Sequence, residues 1–308
     1  MTDSPSPSLG AFMDAELSSQ PQTWAQAIVQ ARSEDLLPVD GQRVAAIGCG
    51  TSWFMAQSYA AAREAAGKGI TDAFAASEAS VVLDGGRNYD AIVAITRSGT
   101  TSEVLEILAR LKGTVHTVVL VGDLQSPVVA LADAVVGLPY ADEKSVVQTR
   151  FATTALAYLL TGVGVDLTQA LEDVAAAVDE PVEQELIDAE QFTFLGRGWT
   201  IGLAHEAGLK MREAVQGWTE SYPAMEYRHG PISIAAPNRV TWLFGEEPEG
   251  LAAEVARTGA LYLHTEKHPL AELARVHRVT LERARARGMN PDVPRNLTRS
   301  VILDAPQA

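Results

Sequence analysis

The sequence contains one cysteine, Cys49, in 308 residues. A disulfide within the chain is therefore excluded, and so is a metal site built from several cysteines. Long apolar runs are also missing, because charged residues interrupt them well before the length of a membrane span. The first residues lack the basic and apolar regions of a secretory signal. We expect a cytoplasmic protein that makes no membrane contact.

Positive charge is scarce, since 24 Lys and Arg residues face 39 Asp and Glu residues and the net charge is −15. Such a chain repels a phosphate backbone, so no nucleic-acid partner is expected. A small anion can still bind, because local N–H groups and hydroxyls decide its affinity. The six histidines lack paired ligand spacing and no nucleotide-binding glycine motif occurs, so neither a metal nor another cofactor is predicted.

A run of short apolar residues at 91–95 predicts a strand buried on both faces, and a hydroxyl-rich loop follows it. That loop, residues 96–102, carries five Ser or Thr residues together with Arg97, and a helical pattern begins after it. Unpaired N–H groups and the helix dipole attract an anion at such a point. An ordinary capped connection is the alternative, although five hydroxyls exceed what capping needs.

A second loop of the same kind follows the strand predicted at 44–47. Residues 48–52 combine two glycines with Thr51 and Ser52 at the start of an Ala-rich helix that runs to about Ala66. Ligands of open α/β sheets bind at the carboxyl ends of parallel strands. Two donor-rich loops at one such edge predict a shared anion site.

Strands predicted at 73–79, 117–121 and 134–138, with a helix from Ser126, indicate an α/β protein with a doubly wound parallel sheet. The pattern of 45–52 returns about 148 positions later at 192–200, which indicates an internal duplication. The second copy has an acidic loop at 245–249 and ends in one helix at 270–288, so we predict a truncated second unit. The predicted divisions are a helical segment at 1–35 (mobile at 1–9), units at 36–165 and 191–302, and a helical connector at 166–190.

Chemistry-bearing residues concentrate in the second half. Glu206, Lys210 and Glu213 share one face of a predicted helix, for which the alternative is a solvated face with an ion pair. His229 precedes Gly-Pro, where a structural histidine is the alternative. A proline-punctuated tail at 290–301 contains Arg299, and plain surface packing is the alternative there.

Taken in order, five motifs resemble the sugar isomerase (SIS) family, in particular the isomerase half of glucosamine-6-phosphate synthases. They are residues 48–52, 98–101, 206–213, 222–231 and 292–300. The resemblance implies two tandem flavodoxin-like SIS units that act on a hexose or hexosamine 6-phosphate by proton transfer between C1 and C2, as an aldose–ketose isomerase or a deaminase. A non-catalytic sensor of an amino-sugar phosphate is the alternative. Glutamine hydrolysis is not expected, because an amino-terminal nucleophilic cysteine is missing.

The resemblance also implies a role for individual residues and a homodimer with shared active sites. Glu213 would be the base, Glu206 and Lys210 a polar pair beside it, and His229 of a neighbouring subunit would assist ring opening. Arg299 stands where the synthases have a lysine and cannot form an imine, although it can neutralise an enediolate. The substrate-binding set consists of Cys49, Gly50, Thr51, Ser52, Thr96, Arg97, Ser98, Gly99, Thr101, Gln148 and Thr149.

Overall fold

The computed structural model describes residues 8–78 and 84–303, and within these ranges the strands form two parallel sheets. The first sheet has the order β2-β1-β3-β4-β5 and the second has the order β7-β6-β8-β9. The first contains β1 (Val44–Gly48), β2 (Thr71–Ala75), β3 (Ala91–Thr96), β4 (His116–Val121) and β5 (Ala134–Gly137). The second contains β6 (Gln191–Gly196), β7 (Trp218–Pro223), β8 (Arg239–Phe244) and β9 (Leu261–Leu263).

Helices cover the sheets, and single 3₁₀ turns fill several connections. The helices are α1 (Ala11–Ser18), α2 (Gln20–Ser33), α3 (Thr51–Ala65), α4 (Ser102–Leu111), α5 (Arg150–Gly162), α6 (Thr168–Asp179), α7 (Gln184–Asp188), α8 (Thr200–Val215), α9 (Leu251–Ala256) and α10 (Pro269–Ala286). The α/β class with parallel sheets and flanking helices is confirmed. No helix in the described ranges is long and apolar enough to cross a membrane.

The strand order places a topological switch point between β1 and β3. These strands pair in parallel, with Val44 opposite Ala91, while β2 lies on the far side of β1. The chain therefore turns to opposite sides after β1 and β3, and the carboxyl ends of these two strands open a crevice. Both strands are fully buried, which explains their unbroken apolar sequence.

Three predicted elements differ from the structure. The helix predicted from Ser126 is a single 3₁₀ turn, Pro127–Ala130, because β5 begins only four residues after it. The strand predicted at 73–79 is β2 at Thr71–Ala75, and the last predicted residue, Ala79, lies outside the described residues. Strand β7 was not predicted, because its polar sequence forms a partly exposed edge without an apolar run.

The two sheets share one hydrophobic core, which contains residues such as Val93 of the first sheet and Phe194 of the second. Helices α3 and α8 cross closely at Gly202. A Cβ atom there would lie 2.4 Å from the carbonyl oxygen of Phe54, so a side chain would push the helices apart. This contact brings a helix of the second sheet to the switch point of the first.

Candidate functional site

The loop after β1 forms one wall of the crevice. Gly50 adopts a φ of +54°, a conformation that favours glycine, and helix α3 begins at the next residue. The side chains of Thr51 and Ser52 are almost fully buried at this helix start. Cys49 lies between the two glycines, and burial raises the pKa of its thiol to about 11. The cysteine is therefore a neutral lining group rather than a nucleophile.

The loop after β3 forms the facing wall. Thr96, Ser98 and Arg97 are each about 5% exposed or less, and Gly99 allows the turn with a φ of +63°. The Gly99 N–H donates to the Thr96 hydroxyl at 3.2 Å, and the Thr100 N–H donates to the Ser98 hydroxyl at 3.3 Å. The loop thus gathers hydroxyls and N–H groups at the start of α4, as an anion site requires.

Both loops line one cavity of about 180 Å³. Glu213 and Gln148 also line it, and the tail at 297–301 forms a further wall. The Nε2 atom of Gln148 is buried and has no hydrogen-bond partner among the described residues. A buried amide beside a polar cavity is a group that a polar ligand would satisfy.

Helix α8 supplies the ionisable groups behind this cavity. Lys210 is fully buried, and its Nζ lies 2.5 Å from Oε2 of Glu213 and 3.6 Å from Oε1 of Glu206. The Glu213 side chain is 20% exposed, whereas the Glu206 side chain is fully buried. Burial raises the pKa of Glu206 to about 8, against the attraction of Lys210. The buried ammonium therefore pairs with Glu213, and Glu206 stays protonated at neutral pH.

Arg97 does not present its guanidinium to the cavity as a free cation. One of its terminal nitrogens donates to the carbonyl oxygen of Ser145 at 2.9 Å, and the other donates to that of Arg299 at 2.8 Å. Its Nη1 also lies 3.9 Å from the buried carboxylate of Glu143. Arg97 thus ties the β3 loop to two distant segments, so its contacts are those of a structural link.

The tail crosses the hydroxyl loop. The Ser300 hydroxyl lies 2.9 Å from that of Thr100 and 3.2 Å from that of Ser98. The N–H of Ser102, at the start of α4, donates to the carbonyl oxygen of Val301 at 3.3 Å. Arg299 pairs with Asp142 and donates to the carbonyl oxygen of Glu143 at 3.1 Å. Oxygen atoms of the tail therefore occupy the donors that the sequence predicted for an anion.

Most predicted site residues meet at this cavity. Those lining it are Cys49, Gly50, Thr51, Ser52, Thr96, Arg97, Ser98, Thr101, Gln148, Glu213 and Arg299. Glu206 and Lys210 lie behind the wall, and Gly99 shapes the loop without lining the cavity. Thr149 is fully buried, and Glu143 accepts hydrogen bonds from both its N–H and its hydroxyl. His229 is exposed at the end of a 3₁₀ turn and does not line the cavity of its own chain.

Sequence reasoning missed several residues around the site. Glu143 anchors Thr149, and Ser300 touches the hydroxyl loop. His277 of α10 is fully buried with Nε2 3.8 Å from Oε1 of Glu206, and burial lowers the pKa of its ring to about 3. Glu16 reaches the same region from α1. A polar residue on an otherwise apolar helix face was the available signal for Glu16 and His277.

Two parallel sheets, with a hydroxyl-lined cavity at the switch point of the first, define an α/β protein with a candidate anion site. Residues 39–161 match the family model of the SIS domain. The chain is 24% identical to the isomerizing glutamine–fructose-6-phosphate aminotransferase of Sulfurisphaera tokodaii, over 95% of this chain and 56% of that protein. The corresponding protein of Gluconobacter oxydans is 26% identical over 68% of this chain and 43% of its own length. The chain spans about half the length of these curated relatives.

Solved structures share the fold. A glucosamine-6-phosphate deaminase from Thermotoga maritima superposes with a TM-score of 0.79 at 21% identity, covering 94% of this chain and 98% of that one. A tagatose-6-phosphate ketose/aldose isomerase from Escherichia coli has a TM-score of 0.78 at 16% identity, covering 98% and 100%. The chain therefore shares its fold with a phosphosugar deaminase and a phosphosugar isomerase.

Proposed function

We propose that the chain binds a hexose or hexosamine 6-phosphate in this cavity and moves a proton between C1 and C2 of the opened sugar. The observation that carries the proposal is Glu213, a carboxylate at the wall of the hydroxyl-lined cavity that is paired with the buried Lys210. A base and an anion site then share one cavity, and a fixed cation lies directly behind the base. Aldose–ketose isomerisation needs these three parts.

The first step is binding of the phosphate group. The hydroxyls of Ser52, Ser98 and Thr101 face one cavity, next to the starts of α3 and α4. Helix starts favour negative charge, so the phosphate is attracted although the chain as a whole carries −15. Since Ser300 and the Val301 carbonyl occupy the same donors, the tail moves aside or rearranges when the phosphate binds.

The second step is proton transfer by Glu213. Its carboxylate removes the proton from C2 of an aldose, the electron pair of that C–H bond forms the C1–C2 double bond, and the π electrons of the C1 carbonyl move onto O1 to give the enediolate. O1 then takes up the hydroxyl proton that leaves O2, the C2 carbonyl forms, and C1 takes the carbon-bound proton back from Glu213. Lys210 stays protonated because, against the effect of burial, the charge of Glu213 and its hydrogen bond act to raise the pKa of the ammonium. Its charge stabilises Glu213 before the transfer and the enediolate during it.

The proposed mechanism uses no imine between the substrate and the tail, because the tail has an arginine, Arg299, at this position. A guanidinium cannot form an imine, and this one is held by Asp142 and the Glu143 carbonyl. With glucosamine 6-phosphate, proton transfer from C2 to C1 gives the 2-imine of the ketose. Addition of water to that imine then releases ammonia and fructose 6-phosphate, so one base serves isomerisation and deamination.

We further propose that the second sheet is a truncated SIS unit, with boundaries near 36–165 and 191–302, and that a second copy of the chain completes the site. The order β7-β6-β8-β9 repeats that of the first four strands of sheet one. His229 is exposed on its own chain. In a homodimer it would reach the partner's cavity and assist ring opening, as the family resemblance implies.

The test is turnover of hexose and hexosamine 6-phosphates in deuterated water, followed by NMR of the C1 and C2 positions and by an ammonia assay. We expect deuterium at C1 or C2 with the wild type and a loss of more than about 100-fold in Glu213→Gln. The exposed Glu172→Gln variant of α6 is the matched control and keeps the wild-type rate.

Ammonia from glucosamine 6-phosphate would assign deamination, and exchange without ammonia would assign isomerisation. If a sugar phosphate binds tightly but none of the tested sugar phosphates exchanges a proton, the proposed enzymatic function is wrong and the chain is a sensor of that sugar phosphate. The buried Lys210–Glu213 pair favours the enzyme, because a sensor has no need of a base held at the cavity wall.

A further inference from the structure

Glu16, on the amino-terminal helix α1, reaches the loop that carries Gln148. Glu16 is only 4% exposed. One carboxylate oxygen accepts the N–H of Lys144 at 2.5 Å and that of Ser145 at 3.3 Å. A charged acceptor of two backbone donors fixes the path of a loop that has no regular secondary structure of its own. We call residues 142–149 the bracket loop.

The bracket loop is the point where the separate parts of the cavity are joined. It places Val146 and Gln148 on the cavity wall. Its carbonyl oxygens at Ser145 and Val146 accept from Arg97, which belongs to the β3 loop. A displacement of the bracket loop would therefore move the anion loop as well as the amide of Gln148.

The same loop also holds the tail. Arg299 pairs with Asp142 and donates to the carbonyl oxygen of Glu143 at 3.1 Å. Glu143 itself turns inward and accepts from the N–H groups of Thr149 and Arg150, both at 2.7 Å. The inner side of the loop is thus fixed by Glu143, and the side toward α1 is fixed by Glu16.

We propose that Glu16 is a positioning residue of the candidate site: its carboxylate holds the bracket loop in the path that presents Gln148 to the ligand and receives Arg97. The inference rests on the proposed function for its kinetic consequence. Its structural consequence, order in the bracket loop, can be measured without any turnover.

The interaction of Glu16 with the bracket loop depends on pH near neutrality. Burial, with a further contribution from the negative charge of Glu143, raises the pKa of Glu16 to about 7, against the two N–H donors and the charge of Arg150. The charge of Arg97 also interacts with Glu16. The docked loop therefore binds this proton more tightly than an opened loop, in which Glu16 is solvated and has its ordinary pKa of 4.5. The bracket loop is held most firmly at low pH and loosens as the pH rises through about 7.

Amide hydrogen exchange at Lys144 and Ser145, corrected for intrinsic rates, tests the inference directly. In the wild type we expect protection to fall between pH 6 and 8, because Glu16 loses its proton over this range. Glu16→Gln keeps an amide oxygen that can accept both N–H groups but cannot titrate, so its protection should not change over this range. Asp14→Asn is the matched control, because Asp14 lies on the same helix but pairs with Arg278 and Arg285.

Kinetics supply the second readout. Glu16→Ala should raise KM by about ten-fold, the equivalent of one charge-assisted hydrogen bond, and should change kcat little. Loss of folding alone would lower the active fraction at every pH and would leave KM unchanged. Constant wild-type protection from pH 6 to 8, or a pH dependence that persists in Glu16→Gln, would overturn the inference. If no sugar phosphate turns over, the proposed function fails, and the exchange experiment still decides the role of Glu16.

Discussion

Replacement of Glu206 by glutamine should change how stability depends on pH. Glu206 is fully buried, and its pKa in the folded chain is raised to about 8, from an ordinary value of 4.5. The folded state therefore binds this proton more tightly than the unfolded state. The stability that this binding contributes is complete below pH 4.5 and is lost progressively as the pH rises to 8.

The magnitude follows from proton linkage. Between pH 5 and pH 8, a carboxyl group with these two pKa values costs the folded state roughly 3–4 kcal/mol. Glu206→Gln keeps the shape of the protonated carboxyl group and removes the titration. The free energy of unfolding should therefore fall less steeply with pH in the variant than in the wild type, by roughly 3–4 kcal/mol over that range.

Urea-induced unfolding at pH 5 and pH 8, with linear extrapolation, measures this difference. Glu106→Gln serves as the control, because the side chain of Glu106 is 68% exposed and its replacement should leave the pH dependence unchanged. Equal pH dependence in the wild type and Glu206→Gln would refute the reasoning. It would mean that Glu206 is already ionised and that Lys210 is shared between two carboxylates.

Two substitutions and one chemical modification probe the loops around the cavity. Arg97→Leu removes the donor to three carbonyl oxygens and should lower the free energy of unfolding by about 2–4 kcal/mol in urea titrations; unchanged stability with weaker phosphate binding would instead assign Arg97 to the ligand. Gly99→Ala places a Cβ 1.9 Å from the Ser126 hydroxyl in a conformation that disfavours side chains, so calorimetry should show a Tm lower by several degrees. Cys49 should react slowly with iodoacetamide at pH 7, because its pKa is near 11; rapid alkylation, followed by mass spectrometry, would contradict the buried neutral thiol.

Local sequence patterns predicted the parts of the cavity that are encoded within a few residues. The strand, loop and helix start around Ser52 and around Ser98 each depend on neighbouring residues, and their convergence follows from the rule for parallel sheets. The shared face of Glu206, Lys210 and Glu213 also follows from helix geometry. The sequence did not show whether this helix face is exposed to solvent. In the structure the side chains of the face are buried, except that of Glu213.

Contacts between distant segments escaped prediction. The sequence places Arg97 in the substrate-binding set and gives no sign of its structural contacts, because its partners, the carbonyl oxygens of Ser145 and Arg299, lie 48 and 202 positions away. A backbone carbonyl leaves no trace in a sequence, since every residue has one. Strand β7 was missed for a related reason, because its pairing with β6 comes from the backbone while its side chains are polar.

The two sheets differ in the polar groups at the carboxyl ends of their strands, and this difference bears on where an anion can bind. In the second sheet the Thr200 hydroxyl lies within 3.0 Å of the carbonyl oxygens of both Arg197 and Phe244, and it accepts the Arg197 N–H at 2.8 Å. The Arg197 side chain pairs with Glu246 of the acidic loop at 3.2 Å. These polar groups satisfy one another, and the carboxylates repel an anion. The second sheet is therefore free to contribute α8, whose Glu213 reaches the first cavity because Gly202 lets the helices cross closely.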